Sequence, residues 1–386
     1  MVKSNQKLKK IYLDYAASIS ANPSSLHILG IEAKLKLQNA RIEVASFLKA
    51  RPQEIIFTSG GTESNNLAIQ GVINKFFELD FKFIPHIITT NIEHPSVLET
   101  FKILKKRKLV EVSFVSVEKS GIVDPKKIKK EIKNNTILIS VMYANNEIGT
   151  IQPIKEIAKE IRYYKKYKKN LSIFPLFHTD AVQAVNYLDL NVEKLGVDLL
   201  SLSGTKIEDA GRVGVLYKKN SVKISAIFGG GDQEMGLRPG TENLKEILKF
   251  SNALKFLQKN KDKENERLSK LRDYFIKKLL KSFSNIILNG DLEERLPNNI
   301  NITFLKIPSD LLVIELSAKG IMVSSKSACS SSQKGGSYVI ESINSELDKE
   351  IGGVRFSLGK KTNKADIDYT IKVLFKILEK LKKWYK

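Results

Sequence analysis

From about residue 55 to 220, short β-branched apolar runs alternate with longer stretches in which apolar residues recur at helical spacing. The runs fall at 55–59, 86–90, 110–115, 136–143, 173–179, 198–202 and 213–217. Each is nearly continuous in apolar residues, the pattern of strands covered by helices on both faces. This predicts an α/β domain with a mostly parallel seven-stranded sheet. Beyond about 245 the pattern changes. Residues 244–282 read as one long or broken helix rich in Lys and Glu. Shorter elements follow at 285–288, 299–304, 311–315, 321–324 and 354–358, some of them strands. In 365–386, Ile367, Ile371, Val373, Leu374, Ile377, Leu378 and Leu381 fall near one face of a closing amphipathic helix. A helix packed on its own domain is a simpler reading of that face than a membrane binder. The expected organisation is a large domain over 15–245 and a smaller α+β domain over 246–386, completed by the N-terminal segment 1–14.

Composition narrows the setting. No apolar stretch of the 386 residues approaches the roughly 18–20 that a membrane span requires. The opening MVKSNQKLKK has no apolar core behind its lysines, so no secretory signal is expected. One cysteine, Cys329, allows neither an intramolecular disulfide nor a cysteine-pair zinc site, and a reducing cytoplasm is the natural setting. His27, His86, His94 and His178 are scattered without metal-ligand spacing, so no metal is expected. The net charge is +22, yet only 10 of the 64 basic residues are arginine and the other 54 are lysine. Phosphate and base recognition favours arginine forks and interleaved aromatics. Lysines spread over helix surfaces describe a solvated exterior, which could still steer an acidic protein or tRNA toward the molecule.

The chemistry sits where predicted strands run into loops, the place where such sheets bind ligands. Ser59-Gly60-Gly61-Thr62 leads from a strand into a helix, with glycines that let an anion approach the helix N–H groups and a hydroxyl at Thr62. It is equally an ordinary turn and N-cap. Glu93-His94-Pro95 offers an imidazole that could stack on a planar ligand or move a proton, or simply shape a loop. Asp180 ends an apolar run, where a carboxylate stays charged only beside a cationic or protonated partner, and Gln183 adds an amide nearby; Asp180 as an N-cap is the alternative. Lys206 follows the hydroxyl-rich turn Ser203-Gly204-Thr205, and a lysine in a partly buried site can form an imine with a carbonyl compound. Each signal alone is weak. Together, a phosphate cradle, a stacking histidine, a buried carboxylate and an imine-forming lysine are what pyridoxal 5'-phosphate requires.

With these blocks go TyrLeuAspTyrAlaAla at 12–17, AsnProSerSer at 22–25, SerValMet at 140–142, AsnAsnGluIleGly at 145–149 and GlyGlyGlyAspGlnGlu at 229–234. LeuArgProGlyThrGluAsn at 237–243, SerAlaCysSer at 327–330 and ValArgPheSerLeuGly at 354–359 complete the set. Over nearly its whole length the chain resembles the group I cysteine desulfurases of NifS/IscS type, in the class V aminotransferase family of fold type I. The resemblance implies a pyridoxal-phosphate enzyme that converts L-cysteine to L-alanine and passes on the sulfur, to iron–sulfur cluster assembly or tRNA thiolation. Carried over, Lys206 would hold the cofactor and move the proton at the substrate α-carbon, and Asp180 and Gln183 would bind the ring nitrogen and hydroxyl. His94 would stack on the ring and assist proton transfer. Gly61, Thr62, Ser203 and Thr205 would hold the phosphate, completed by Thr241 from the partner subunit of a homodimer. Asn146 and Arg355 would hold the substrate, Arg355 as a carboxylate clamp, and Cys329 would take the sulfur as a persulfide. A scaffold or sulfur-acceptor protein is the implied partner.

The residues around Cys329 support that last role on their own. Ser327-Ala328-Cys329-Ser330-Ser331-Ser332 runs into Gln333-Lys334-Gly335-Gly336, a polar, glycine-containing stretch that buries a thiol poorly, and Lys326 and Lys334 favour the thiolate. The chain departs from the family at Thr205, where histidine is usual, at Lys326, where glycine is usual, and at 207–212, which replaces a Gly-Pro-rich turn and sets Glu208 and Asp209 after the lysine. Two other readings stand beside the desulfurase: a pyridoxal-phosphate enzyme for a related amino acid, and a degraded homologue acting as a scaffold.

Overall fold

The computed structural model describes residues 11–19, 21–167, 174–325, 336–347 and 351–382. Helix α1 (Ile28–Leu48) precedes β1 (Ile55–Thr58), α2 (Gly61–Glu78), β2 (His86–Thr90), α3 (Pro95–Lys106), β3 (Glu111–Val115), α4 (Pro125–Glu131) and β4 (Thr136–Ser140). Then come α5 (Ile154–Tyr167), β5 (Leu176–Asp180), α6 (Val192–Leu195), β6 (Leu199–Ser203) and β7 (Gly214–Lys218). The seven strands form one sheet in the order β1-β7-β6-β5-β4-β2-β3. All run parallel except β7, which is antiparallel to both β1 and β6. All seven predicted strands are present. Most ends agree within one residue, and two differ by three: β5 starts only after Pro175, which has no N–H to give a ladder. Strand β4 stops at Ser140, although Val141 and Tyr143 still donate backbone hydrogen bonds to His178 and Asp180.

Successive side chains of a strand point to opposite faces, and the buried core divides accordingly. Ile56, Ile87, Leu138, Leu176, Leu199 and Leu216 pack with α2 and α3 on one face. Ile55, Phe57, Ile88, Ile139, Phe177, Leu200 and Val215 pack with α1, α5 and α6 on the other. Apolar residues at every strand position are what such a two-sided sheet demands.

Helix α7 (Leu244–Ser282) is unbroken over 39 residues. Its early residues Ile247, Phe250 and Leu254 belong to the core under the large sheet, whereas Leu268, Phe275, Ile276 and Leu279 belong to a third core. That third core is completed by β8 (Ile286–Leu288), β9 (Asn299–Phe304), α8 (Ser309–Ser317), β10 (Gly353–Ser357) and α10 (Lys364–Leu381), whereas α9 (Tyr338–Ile343) packs with the large-sheet core. The strands pair antiparallel in the order β10-β9-β8. The stretch at 311–315 is helical within α8, and of 321–324 only Ser324 pairs, with Arg355. Ile367, Val373, Leu374, Ile377, Leu378 and Leu381 of α10 are buried, with Ile371 partly so, and the helix packs on this domain.

Candidate active site

Strands β1, β2, β4, β5 and β6 all point their C-terminal ends at one edge of the sheet, and the predicted loops meet there. Beyond β1, Gly60 is extended and α2 begins at Gly61. A Cβ on Gly61 would lie 2.9 Å from Val182 Cγ2 and 3.2 Å from Ser203 Cβ, so only glycine lets this helix start seat against the end of β6. Its unpaired N–H groups, carrying about half a positive charge, thereby adjoin a hydroxyl pair, Ser203 Oγ and Thr205 Oγ1, 2.9 Å apart. Thr62 is exposed on the first turn. The acid in that turn, Glu63, accepts from Ser59 N at 2.8 Å and Arg238 Nε at 2.9 Å. Burial works against its charge, but the Arg238 and Ser59 bonds outweigh burial and hold the carboxyl below its usual range.

Asp180 ends β5 only 5% exposed. Its Oδ1 accepts from Val182 N at 2.9 Å and its Oδ2 from Asn65 Nδ2 at 2.7 Å. His94 caps α3, its Nδ1 accepting from Ser96 N at 3.1 Å and lying 2.8 Å from Ser96 Oγ. Burial pulls the His94 pKa down, with Asp180 acting upward on it and Lys206 downward, so the three groups share one electrostatic site. Lys206 closes the single 3-10 turn Gly204–Lys206, where its backbone oxygen accepts from Asn186 Nδ2 at 2.6 Å. The unusual turn after it is exposed at Glu208 and Asp209, and Glu208 Oε2 pairs at 3.4 Å with Lys360 Nζ of the smaller domain. Gln183 is half-buried in the turn after β5.

The smaller domain reaches the same edge through Arg355 on β10, whose Nη1 donates to the Asn146 backbone oxygen at 2.8 Å. Burial lowers the Arg355 pKa and Glu147 opposes it. Asn146 is 8% exposed, and its Oδ1 is buried without a partner among the described residues. Thr241 stands apart: it is exposed and makes no hydrogen bond to the other described site residues. The segment leading to it is fastened to α1 by a buried ion pair, Arg41 Nη2 to Glu234 Oε1 at 2.6 Å, and to β1 by Glu234 Oε2, which accepts from Phe57 N at 2.8 Å.

Cys329, Lys326 and Lys334 lie outside the described residues. Flanking them, Ser324 exchanges two backbone hydrogen bonds with Arg355, Ser337 Oγ donates to Glu147 Oε2 at 2.5 Å, and Tyr338 Oη donates to the Glu93 backbone oxygen at 2.6 Å. Sequence reasoning missed Asn65, Ser96, Glu93 and Glu147 as site residues. The available signal was spacing: Asn65 follows Gly61 by one helical turn, and Ser96 follows His94 by the interval of a capping contact. Among the described residues no group of three or more His, Cys, Asp or Glu side chains is arranged to hold a metal ion.

The profile of the family Aminotransferase class-V matches residues 3–370. The chain belongs to the class-V aminotransferase family. It is 43% identical to the cysteine desulfurase IscS of Dictyoglomus turgidum over 97% of this chain and 96% of that protein. Among solved structures, one titled NifS-like protein superposes with a TM-score of 0.83 at 33% identity, covering 93% of this chain and 92% of the other. Another, titled SspA in complex with cysteine, gives 0.72 at 30% identity over 88% and 90% of the two chains. Members of this class V group work with pyridoxal 5'-phosphate, and the residues at the sheet edge fit it. A helix N-terminus beside two hydroxyls suits the phosphate, buried Asp180 suits a protonated ring nitrogen, and Asn146 Oδ1 has bonding capacity left over.

Proposed function

We propose that this chain is a cysteine desulfurase, taking L-cysteine to L-alanine and holding the released sulfur as a persulfide on Cys329. The observation that carries the reading is the convergence at one end of the sheet of the α2 N-terminus, the Ser203–Thr205 hydroxyl pair next to Lys206, Asp180 bonded to Asn65 and His94 bonded to Ser96. Its close relatives bear the same activity in their names. Pyridoxal 5'-phosphate, when bound, supplies an electron sink for bonds at the substrate α-carbon.

Lys206 would hold the cofactor's carbonyl carbon and then carry the proton taken from and returned to the α-carbon. Asp180 would keep the ring nitrogen protonated, Gln183 would bind the ring hydroxyl and His94 would stack on the ring. Gly61, Thr62, Ser203 and Thr205 would hold the phosphate. Arg355 and Asn146 would bind the substrate, the guanidinium forking onto its carboxylate. The Cys329 thiolate would attack the substrate sulfur, forming an S–S bond as the carbon–sulfur bond breaks.

A homodimer completes this reading, with Thr241 reaching the partner's phosphate site. Support comes from the exposed apolar residues Ile28, Ile31, Leu35 and Ile42, which recur at helical spacing on α1 and need a cover. Sulfur would leave for a scaffold or acceptor protein of iron–sulfur cluster assembly, or toward tRNA thiolation, in the cytoplasm. No helix among the described residues is long and apolar enough to cross a membrane.

The test is alanine formation from L-cysteine with reductant and added pyridoxal 5'-phosphate, comparing wild type with Cys329→Ser. Alanine from wild type and almost none from the variant is expected. Equal rates would remove Cys329 from the chemistry, and no alanine from folded, cofactor-supplemented wild type would overturn the desulfurase reading.

A further inference from the structure

Four residues beneath the site form a hydrogen-bonded chain that links its carboxylate to its histidine. Asn65 Nδ2 lies 2.7 Å from Asp180 Oδ2 and 2.9 Å from Ser96 Oγ, and Ser96 Oγ lies 2.8 Å from His94 Nδ1. Both ends of the chain have fixed polarity. A carboxylate accepts, so the Asn65 group facing Asp180 must be its NH2, which has exactly two hydrogens to give. The second goes to Ser96 Oγ, so the serine hydrogen is directed onward to His94 Nδ1. At the other end a backbone N–H can only donate, and Ser96 N donates to the same Nδ1 at 3.1 Å. Two donors therefore converge on the Nδ1 lone pair.

We propose that Asn65 and Ser96 are positioning residues that transmit the polarity of Asp180 to His94 and hold it as the neutral Nε2–H tautomer. In that state Nδ1 is committed and Nε2 already carries a hydrogen. His94 is then a fixed hydrogen-bond donor through Nε2, which has no hydrogen-bond partner among the described residues, and is not a base there. Removal of the α-proton falls to Lys206. This refines the sequence-based role of His94 in proton transfer and rests on the pyridoxal-phosphate reading for its catalytic consequence. The tautomer itself does not depend on that reading. Burial, which depresses the imidazolium form, works in the same direction.

The arrangement also explains why Asn65, 1% exposed, is tolerated with a buried Oδ1 that has no partner. Turning the amide over would set its oxygen against the Asp180 carboxylate, acceptor against acceptor, and would draw the Ser96 hydrogen onto that oxygen and away from His94. The unsatisfied oxygen is the cost of keeping the direction.

The test is the nitrogen shifts of His94 in cofactor-free protein labelled with ¹⁵N-histidine, read by two-bond ¹H–¹⁵N correlation near neutral pH. His94→Gln assigns the signal among the four histidines. The expected pattern is an unprotonated-type shift at Nδ1 and a protonated-type shift at Nε2. Ser96→Ala and Asn65→Leu should each introduce a measurable Nδ1–H population, and Ser96→Thr should restore the wild-type pattern. In the loaded enzyme the first two should lower kcat about tenfold, with KM for L-cysteine within about twofold, because ring orientation and tautomer serve the chemical steps. A wild-type Nδ1–H or imidazolium signal would overturn the proposal, as would an unchanged tautomer in Ser96→Ala, which would assign the tautomer to the retained backbone N–H at 96 and leave the side-chain relay without effect. If Asn65→Leu fails to fold, Ser96→Ala, which deletes one hydroxyl, decides. The shifts are read without turnover, so a protein with no desulfurase activity leaves this result standing, and the reverse also holds.

Discussion

Two layers of buried polar groups in this molecule make opposite use of hydrogen bonding. Within the sheet, His178 on β5 lies between Ser140 Oγ of β4 at 2.8 Å and Ser201 Oγ of β6 at 3.0 Å. His86 on β2 lies between Thr136 Oγ1 of β4 at 2.8 Å and Ser113 Oγ of β3 at 3.0 Å. Each ring has both nitrogens occupied and crosses three strands. At the strand ends, by contrast, Asn65 Oδ1, Glu93 Oε2 and Asn146 Oδ1 are buried without partners among the described residues, and His94 engages only one nitrogen there. Saturated polar groups hold the sheet, while capacity is left over at the strand ends where the candidate site lies, though not there alone, since Asn265, Asn298 and Asn299 also keep a bare Oδ1 among the described residues. Burial and residue type alone do not separate the two, since histidine serves in both layers.

The sharpest test of that division is to remove one residue from each layer. Lys206→Ala should lower alanine formation by a factor on the order of 10³ or more while leaving the urea midpoint close to wild type, because the side chain is exposed and acts on the ligand. His178→Leu should do the reverse. Two buried hydroxyls lose their partner, a loss of about 2–4 kcal/mol in urea unfolding, with activity per folded molecule retained. If Lys206→Ala proved as destabilising as His178→Leu, the separation of layers would fail.

Acid titration of stability sharpens the same contrast. Burial pulls the His178 pKa from 6.5 down to about 3. Below about pH 6.5 the unfolded chain takes up a proton that the native state refuses, so stability falls as pH drops from there toward 3. The slope is at most about 1.4 kcal/mol per pH unit from this group. His178→Leu should lose that part of the slope.

Glu93 gives an effect of the opposite sign. Burial raises its carboxyl from 4.5 to about 8, against the hydrogen bonds from Met142 N and Thr90 Oγ1. Between those values the native state keeps a proton that the unfolded chain has released, so stability declines as pH rises from about 4.5 to about 8. Glu93→Gln keeps the acceptor for Met142 and Thr90 and cannot ionise. Urea midpoints of the variant should therefore gain on wild type steadily between pH 5 and pH 8, and a parallel pair of curves would show that Glu93 is ionised in the native protein.

Much of this architecture was legible in the chain because strands, helix starts and turns are written in local pattern. Apolar runs at seven places, the Gly-Gly-Thr turn and the residues Asp180 and Lys206 after strands all stood out without a partner in view. The hydrophobic effect acts on side chains whichever neighbour covers them, so the sequence alone determined that these segments are buried and which loops gather at the sheet edge. It did not determine that β7 inserts antiparallel between β1 and β6, nor that 311–315 is helical. Short apolar runs suit strand and helix alike, and packing decides between them. The contacts that complete the site were the least legible. Asn65 and Asp180 are 115 positions apart, and Asn146 and Arg355 are 209. Hydrogen bonds have direction and short reach, so their partners exist only once the fold has brought those atoms within 3 Å. Only the tertiary structure decided which asparagine bonds the carboxylate and which nitrogen of His94 is engaged by Ser96.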